Sequence, residues 1–195
     1  MTSVRALPRR AASWKWLHAF SQNQIAMPPP VRSSAETARY AQYMHWCTER
    51  GITNAEYVLK YVRWKEGALA LEPSMVPYRL EPGLQHWILW HHPDKSVPGD
   101  ATLLPCKQSA LVQAMIAQEL AHKVEASALS GSILCFQNIP ERRSIPAIAH
   151  AHVFLRTENP DVLKLMARWH AEWLQRSPFL SSAGLECESA HRAPD

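Results

Sequence analysis

Apolar and polar positions divide the chain into a helical first third and a mixed remainder. In the first third, Ser33 precedes Glu36, and Thr53 precedes Glu56, by three residues. This is the spacing of a capping box, in which the two residues satisfy each other's free backbone N–H groups at the start of a helix. Gly51, between the two pairs, suits the end of a helix. The predicted helices cover residues 12–26, 33–50 and 53–64.

The pattern changes after residue 64 to extended segments punctuated by proline. In residues 84–91, alternation places His86 and Trp90 on one side of a strand and Trp87 and Leu89 on the other. An amphipathic helix, two strands and a final helix capped by Asn159 follow. These segments cover residues 105–124, 132–137, 147–156 and 159–175. The order predicts an α+β fold, with N-terminal helices followed by an antiparallel sheet packed by helices.

The length of 195 residues fits one domain, which we place at residues 12–178. Residues 1–11 form a basic start that we expect to be disordered, and residues 179–195 a tail, small and polar from Ser181 onwards, that we expect to be flexible. No acidic residue precedes Glu36, which is the charge bias of a mitochondrial presequence. Because Trp14 and Trp16 have the pattern of core anchors in the first helix, we expect a cytoplasmic protein, with mitochondrial import as the alternative.

Composition and charge narrow the classes of partner. The net charge of +4 comes from lysines and arginines that are scattered along the chain, so we expect no nucleic-acid partner. No apolar run approaches the roughly 18 residues of a membrane span, so no membrane partner is expected. The four cysteines share no CxxC spacing, which favours reduced thiols in an intracellular compartment. No cofactor is expected either.

The segment AIAHAHVFLR, residues 147–156, places two histidines on one strand. His150 and His152 share a face with Phe154 and Arg156, while the alanine and aliphatic residues between them face the core. Successive residues on a face lie about 6.6 Å apart, so both imidazoles can contact one ligand in a hollow. The less specific alternative is one histidine hydrogen-bonded in the core and one solvated at the strand end.

Three chemistries suit such a pair. One imidazole acts as a nucleophile, general acid or general base that the other orients. The pair binds an anion together with Arg142, Arg143 or Arg156, which lie close in sequence. The pair ligates a metal with a histidine of the 86–92 segment. We predict no metal site, because HxH spacing without a carboxylate fixes no metal geometry.

Neighbouring segments supply further candidates. His86 and Trp90 share one side of their strand, and we expect them to wall the ligand pocket. Asn138 and Ser144 flank the turn before the histidine strand, where their side chains contact a substrate or brace the backbone of the turn. Each tryptophan has core packing as its alternative role.

Several motifs follow one another in a fixed order along the chain. They are Trp16-Leu17, Asn23, Arg32-Ser33, Tyr40, Tyr43, the helix end at 57–64, the run at 86–90, Gly99-Asp100 and His150-Ala151-His152-Val153. In this order, over residues 14–156, the chain resembles the fungal N-acetylglucosamine-induced protein 1 family. The resemblance implies a soluble intracellular protein tied to the amino-sugar response of some fungi. It implies no established reaction.

A second resemblance lies in the layout from residue 84 onwards. An extended HWILW strand, a long helix, the strand GSILCFQN, a turn with a serine and an HxHV strand are similar in order to histidine-triad nucleotide hydrolases and transferases. By motif position, Asn138, Ser144, His150 and His152 correspond to residues that attack and hold a phosphate. The chain has two alternating histidines instead of three, and a longer distance from Ser144 to the first of them.

The leading hypothesis is a pocket for a small phosphorylated molecule, a nucleotide or a sugar phosphate, over the face of His150 and His152. These two histidines are the predicted catalytic residues of a hydrolase or transferase. The predicted ligand contacts are His86, Trp90, Asn138, Ser144, Arg142, Arg143 and Arg156. The rival hypothesis is a non-catalytic interaction or regulatory protein, in which the N-terminal helices and an aromatic groove bind a protein partner.

Overall fold

The computed structural model describes residues 10–64, 68–95, 105–120 and 124–182. Within these ranges the chain forms six α-helices and a four-stranded antiparallel sheet, which confirms the predicted α+β fold. The helices are α1 (Trp14–Gln22), α2 (Ser34–Glu49), α3 (Asn54–Tyr61), α4 (Pro105–Glu119), α5 (Pro160–Arg176) and α6 (Pro178–Ser182). The strands are β1 (Leu69–Pro73), β2 (Leu84–His91), β3 (Ile133–Phe136) and β4 (His150–Arg156).

The two predicted capping pairs both begin helices, with one difference. Thr53 and Glu56 form the complete box: Thr53 N–H donates to Glu56 Oε2 at 2.7 Å, and Glu56 N–H donates to Thr53 Oγ1 at 3.1 Å. Ser33 Oγ accepts from Glu36 N–H at 3.1 Å, but the Glu36 carboxylate pairs with Arg39 instead. Helices α1, α3 and α4 end before their predicted limits.

The sheet has the order β1-β2-β4-β3, so β2 and β4 are its central strands. The register places Trp90 opposite His150 and His86 opposite Phe154. The strand that carries two histidines therefore lies directly beside the strand that carries HWILW, and side chains from both meet on one face.

Strand β1 has no counterpart in the sequence-based prediction. Its sequence LALEP contains a glutamate and ends in a proline, and both residues disfavour a buried strand. The structure accommodates both. Glu72 is buried and accepts hydrogen bonds from Arg63 N–H and the Arg176 guanidinium. Pro73 is the last residue of an edge strand, where the missing N–H costs little.

The main core lies on the sheet face opposite the histidines, as the alternation predicts. Trp87 and Leu89 of β2 join Ala151, Val153 and Leu155 of β4 in this core. The helical residues that complete the cluster are Val112 and Ile116 of α4 and Val162, Leu165, Met166 and Trp169 of α5. Helices α4 and α5 therefore cover this face.

The histidine face is also covered. Phe20 of α1 packs edge-on against Phe136 of β3, with ring centroids 5.2 Å apart. Tyr43 of α2 and Tyr57 of α3 pack with Trp173, which reaches this side from α5. Helices lie on both faces of the sheet as a result.

This cover corrects one expectation. The sequence places His150 and His152 in an accessible hollow, yet only 7% and 6% of their surfaces are exposed. Alternation along one strand identifies two faces, but it does not indicate whether an earlier helical layer covers the polar face. The two histidines are interior residues, and any site they form is enclosed.

The domain limits at residues 12 and 178 stay a prediction, but the structure shows how the chain packs near each of them. Ala12 N–H donates to Arg79 O at 2.9 Å, which ties this residue to the folded body. Helix α6 lies in the segment predicted as a flexible tail, and it buries Phe179 and Leu180 beside α2 and α3. The predictions for residues 1–9 and 183–195 fall outside the described residues. Within the described ranges, no helix combines the length and apolarity of a membrane span.

Candidate functional site

Two buried histidines from adjacent strands are linked side by side. Nε2 of His86 lies 2.9 Å from Nδ1 of His152. The outer nitrogens are occupied as well: Tyr78 N–H donates to Nδ1 of His86 at 3.2 Å, and Nε2 of His152 lies 2.9 Å from the side-chain amide of Asn138. We call these four residues the histidine relay. The relay runs from a backbone N–H to the turn that precedes β4.

The backbone donor fixes the tautomers along the relay. Because Tyr78 N–H needs an acceptor, Nδ1 of His86 carries no proton, and the neutral ring then carries its proton on Nε2. That proton is donated to Nδ1 of His152, so His152 also carries its proton on Nε2. In the structure Nδ2 of Asn138 faces this nitrogen, and it also lies 3.4 Å from Arg142 O. Because an N–H that faces an amide NH₂ would be repelled, we infer that the amide turns by 180° and that its oxygen accepts from His152. Neither histidine keeps a free nitrogen.

Both relay histidines are held in the neutral form. His86 stacks on Tyr78 and on Phe154, with ring centroids 4.8 Å away in each case. Burial, and then the positive charge of Arg32, lower the pKa of His86 to about 3. Burial also holds the pKa of His152 well below its usual range, with neighbouring charges adding to the effect. At neutral pH the pair therefore acts as fixed hydrogen-bonding structure.

His150 differs from the relay histidines because one of its nitrogens is free. Nδ1 lies 2.8 Å from the carbonyl oxygen of Ile148, and since a carbonyl only accepts, Nδ1 carries the proton. Nε2 then carries the lone pair. It accepts no hydrogen bond from the described residues, and it is not among the side-chain atoms sealed from solvent. Burial lowers the pKa of His150, which keeps the ring neutral at pH 7.

A cavity of about 70 Å³ adjoins His150 on the face of the sheet that carries the histidines. We call it the inner cavity. It has room for a few water molecules or one small chemical group, and it is smaller than most ligand pockets. Its aromatic lining residues are Tyr40, Tyr43, Tyr57, Trp90 and Trp173, and its polar ones are Arg32, Asn54, Ser74, Ser144, His150 and His152.

Arg32 is the cation of the inner cavity, and it is absent from the sequence-based site residues. Its Nε donates to Val76 O at 3.0 Å, and its guanidinium carbon lies 5.2 Å from the ring centroids of both Tyr40 and Tyr78. It forms no ion pair with the residues that the structure describes. Its charge does act on the Glu36 carboxylate, and a half-buried guanidinium without a close ion-pair partner is a candidate anion contact. Its position before the N-cap residue Ser33 was the only signal in the sequence.

A second and larger hollow also has Arg32 in its lining. This outer cleft has a volume of about 460 Å³ and shares Arg32 with the inner cavity. Its lining includes Arg79 and the hydroxyl side chains of Ser34 and Thr37, and none of its described lining residues is acidic. Positive charge is therefore placed at the junction of the two hollows.

The structure brings several of the predicted site residues together. Ser144 is exposed and lines the inner cavity, so the cavity approaches the surface near the turn before β4. Arg143 donates from Nε to Asn138 O at 3.0 Å, and its charge contributes to the lowered pKa of His150. Trp90 faces His150 with ring centroids 5.0 Å apart.

Two predicted arginines lie elsewhere. Arg142 donates to the carbonyl oxygen of Gln24 at 2.7 Å and so holds the loop after α1. Arg156 is exposed, and its guanidinium carbon lies 5.0 Å from the ring centroid of Trp14. Arg156 shares a strand face with His150, as predicted, but the residues between them span about 20 Å of extended chain. Neither arginine reaches the inner cavity.

The other histidines of β2 and its end do not complete a metal site. No group of three histidine, cysteine or carboxylate side chains is arranged to hold a metal among the described residues. His92 packs its ring against Trp64. His91 is buried, and both of its ring nitrogens lack a partner in this part of the chain.

Fold and site define an α+β protein whose antiparallel sheet is covered by helices on both faces. Two neutral histidines are joined across its central strands, and a third lies beside a small cavity. The chain belongs to the family of proteins of unknown function DUF3605, whose model matches residues 13–156. The match includes Arg32 and all the histidines of the site, whereas Trp173 lies beyond it.

Two similar proteins extend this result. The uncharacterized protein YPL067C of Saccharomyces cerevisiae is 29% identical over 171 residues, which cover 74% of this chain and 80% of that protein. A solved structure described as "Crystal Structure of HTC1" superposes with a TM-score of 0.51 at 20% identity and covers 80% of this chain and 96% of that chain. At this identity the structural similarity supports the fold alone.

Proposed function

We propose that the chain binds a small phosphorylated molecule, a nucleotide or a sugar phosphate, with its phosphate beside His150 and Arg32. The observation that carries the proposal is the free Nε2 of His150. A neutral imidazole nitrogen adjoins a cavity whose guanidinium forms no close ion pair with the described residues. This combination of a nitrogen base and an unpaired cation suits phosphate chemistry.

The charges around the site support an anionic ligand. Arg32 lines both hollows, and Arg143 lies close enough to His150 to lower its pKa. No acidic residue lines either hollow in the part of the chain that the structure describes. A phosphate at this point would meet the Arg32 guanidinium, whose nearest charged neighbours include the Glu36 carboxylate, and burial would strengthen the attraction.

The volumes of the two hollows decide which part of the ligand lies where. The inner cavity, at about 70 Å³, accommodates a phosphate group and little more. The outer cleft, at about 460 Å³, is large enough for a base or a sugar ring. We therefore place the phosphate at the junction near Arg32, with the remainder of the ligand in the outer cleft.

If the site is catalytic, His150 is the nucleophile and His152 is not. Nε2 of His150 forms a bond to phosphorus while the bond from phosphorus to the leaving oxygen breaks, and that oxygen takes a proton from water. The resulting hydroxide then attacks phosphorus, and the electron pair of the N–P bond returns to Nε2. His152 has no free nitrogen for this role, because His86 and Asn138 occupy both of its ring positions.

The two family resemblances support finer parts of the proposal. Resemblance to histidine-triad enzymes supports attack on phosphorus by a histidine of the HxH strand. Resemblance to N-acetylglucosamine-induced proteins favours sugar phosphates among the ligands to test. A cytoplasmic location, with mitochondrial import as the alternative, stays a prediction.

A binding experiment tests the proposal with a matched pair of variants. His150→Asn removes Nε2 while its amide can still donate to the Ile148 carbonyl, and His45→Asn makes the same change on an exposed side chain of α2. Calorimetry and thermal shift are measured with inorganic phosphate, nucleoside monophosphates and hexose phosphates. Ligand that binds the native state raises the melting temperature of the wild type and of His45→Asn. Equal binding by His150→Asn would overturn the proposal.

A second experiment tests the covalent step. Wild-type protein incubated with a reactive phosphate ester should acquire an acid-labile phosphoryl group on His150, detected by intact-protein mass spectrometry and peptide mapping. The same modification on His152, or none on either residue under conditions where the ester binds, would contradict the assignment of the nucleophile.

The rival class, an interaction protein with an aromatic groove, finds less support. None of the Trp, Tyr or Phe side chains among the described residues is exposed. The large apolar side chains exposed in this part of the chain are Ile25, Met44, Leu59 and Leu163. An aromatic groove for a protein partner would require exposed aromatic side chains, whereas the described ones are buried or half-buried in the fold.

A further inference from the structure

The histidine relay ends beside the site described above. Asn138 closes the relay with its side chain, and its backbone oxygen accepts the hydrogen bond from Nε of Arg143. Arg143 in turn is the charged residue that acts on His150. A series of contacts therefore runs from His86, deep in the sheet, to Arg143, whose charge acts on His150.

The direction of the relay is set by the backbone donor at the Tyr78 end, because the amide at the Asn138 end can turn by 180°. Each imidazole has one donor and one acceptor nitrogen, so the tautomer of one ring determines the tautomer of the next. Tyr78 N–H is the fixed donor, since a backbone amide cannot reverse its role. Through His86 and His152 it determines which atom of the Asn138 amide faces the relay.

Packing alone does not call for a histidine at position 86. Its ring is stacked within 11° of parallel on Tyr78 and within 6° of parallel on Phe154, an arrangement that a phenylalanine would fill without losing hydration of two nitrogens. What a histidine adds at this place is an acceptor for the buried Tyr78 N–H and a directed hydrogen bond to His152. Directed bonds in a buried network fix one arrangement of the groups at its end.

We propose that His86 is a positioning residue. It sets the tautomer of His152 and the orientation of the Asn138 amide, and it thereby holds the turn that carries Arg143 beside His150. The effect on ligand binding rests on the proposed function, whereas the effect on the tautomers does not depend on any ligand.

The first test reads the tautomers directly. Two-bond ¹H–¹⁵N spectra of the wild type should show His86 and His152 with the proton on Nε2 and His150 with the proton on Nδ1. In His86→Phe, which preserves the stack, His152 loses its donor and should populate the form protonated on Nδ1. An unchanged His152 spectrum in this variant would overturn the proposal, with or without a ligand.

The second test measures affinity for inorganic phosphate. We expect His86→Phe and Asn138→Ala, which break the relay at different points, each to weaken phosphate binding by about tenfold, the scale of one lost charged contact. His86→Gln offers an acceptor and a donor in similar positions and should recover most of the affinity. Asn138→Ala leaves the aromatic stack untouched, so it separates a positioning effect from loss of packing.

The outcomes separate this proposal from the proposed function. If wild-type protein binds no phosphate compound, the proposed function fails, and the tautomer spectra still decide whether the relay is directional. If the wild type binds phosphate but both relay variants bind it equally well, the positioning role fails and the proposed function stands.

Discussion

Trp90 and His150 are paired directly across the two central strands, and their ring centroids lie 5.0 Å apart at an interplanar angle of 42°. The indole covers one side of the imidazole and excludes water from it. Desolvation is the largest cause of the lowered pKa of His150. The neutral state of the proposed nucleophile thus depends partly on its aromatic neighbour.

Replacing this indole should change the titration of His150. In Trp90→Ala, water enters beside the imidazole, and we expect the pKa of His150 to rise towards the ordinary value of 6.5. Histidine NMR signals followed over a pH titration measure the change. Trp64→Ala, which removes the indole beside His92, is the matched control and should leave the titration of His150 unaltered.

An arginine that lines the cavities and one that lies far from them should differ in their effect on phosphate binding. Arg32→Gln removes the cation shared by both hollows, and we expect affinity for inorganic phosphate to fall about tenfold or more, because a hydrogen bond to a charged group contributes about 1.5–3 kcal/mol. Arg156→Gln, at the distant end of β4, should bind phosphate like the wild type. Equal losses in the two variants would point to a diffuse charge effect.

The buried histidines should make stability depend on pH in a defined direction. His86 has a folded-state pKa of about 3, and its unfolded value is near 6.5. As pH falls below about 6.5, the unfolded chain takes up a proton that the folded chain excludes, so the free energy of unfolding decreases. The loss continues until the pH reaches the folded pKa. Above the unfolded value both states are neutral, and this contribution to stability is fully present.

Urea denaturation at several pH values between about 7.5 and 5 measures this dependence. Each such histidine contributes a slope of up to about 1.4 kcal/mol per pH unit. His86→Phe should reduce the slope, whereas His45→Asn, on an exposed helix face, should not. Stability that is constant over this interval would show that the buried rings are protonated without cost.

His91 allows a test in which stability should increase, because its side chain is buried without hydrogen bonds to its ring nitrogens among the described residues. Both ring nitrogens lack a partner among the described residues, and burial lowers its pKa. Replacing an unsatisfied buried polar group with an apolar one of similar size removes a desolvation cost. We expect His91→Leu to raise the free energy of unfolding by about 1 kcal/mol.

The neighbouring His92→Leu serves as the control, since this ring is half-buried and already contacts Trp64. We expect that change to leave stability within about 0.5 kcal/mol of the wild type. A loss of stability in His91→Leu would indicate that the imidazole has a partner that matters for the fold.

Local patterns in the sequence predicted the parts of the fold that depend on local rules. The Thr53–Glu56 box and the alternation in β2 and β4 appear in the structure, because capping and pleating act over a few residues. Strand β1 was missed, since burial of Glu72 depends on Arg176, which lies 104 residues away. The sequence of this segment alone predicts that Glu72 is exposed to solvent.

The site was predicted in part for the same physical reason. Strand periodicity placed His150 and His152 on one face correctly, but it gave them equal roles. Their difference arises from their hydrogen-bond partners. His86, from another strand, occupies Nδ1 of His152, whereas the Ile148 carbonyl accepts from Nδ1 of His150 and leaves its Nε2 free. Arg32 was missed because it approaches the sheet only through the placement of α2, which no local pattern encodes.

The contribution of α5 to the cores on both faces of the sheet has a practical consequence for dissecting this protein. Trp173 lines the inner cavity, yet it lies downstream of the segment 13–156 that defines the family. A recombinant fragment trimmed to that segment would lack α5 and α6. It would expose to solvent the apolar face of the sheet that α5 covers, and the inner cavity would lose the side chain of Trp173. Expression boundaries should therefore follow the packed body through residue 182.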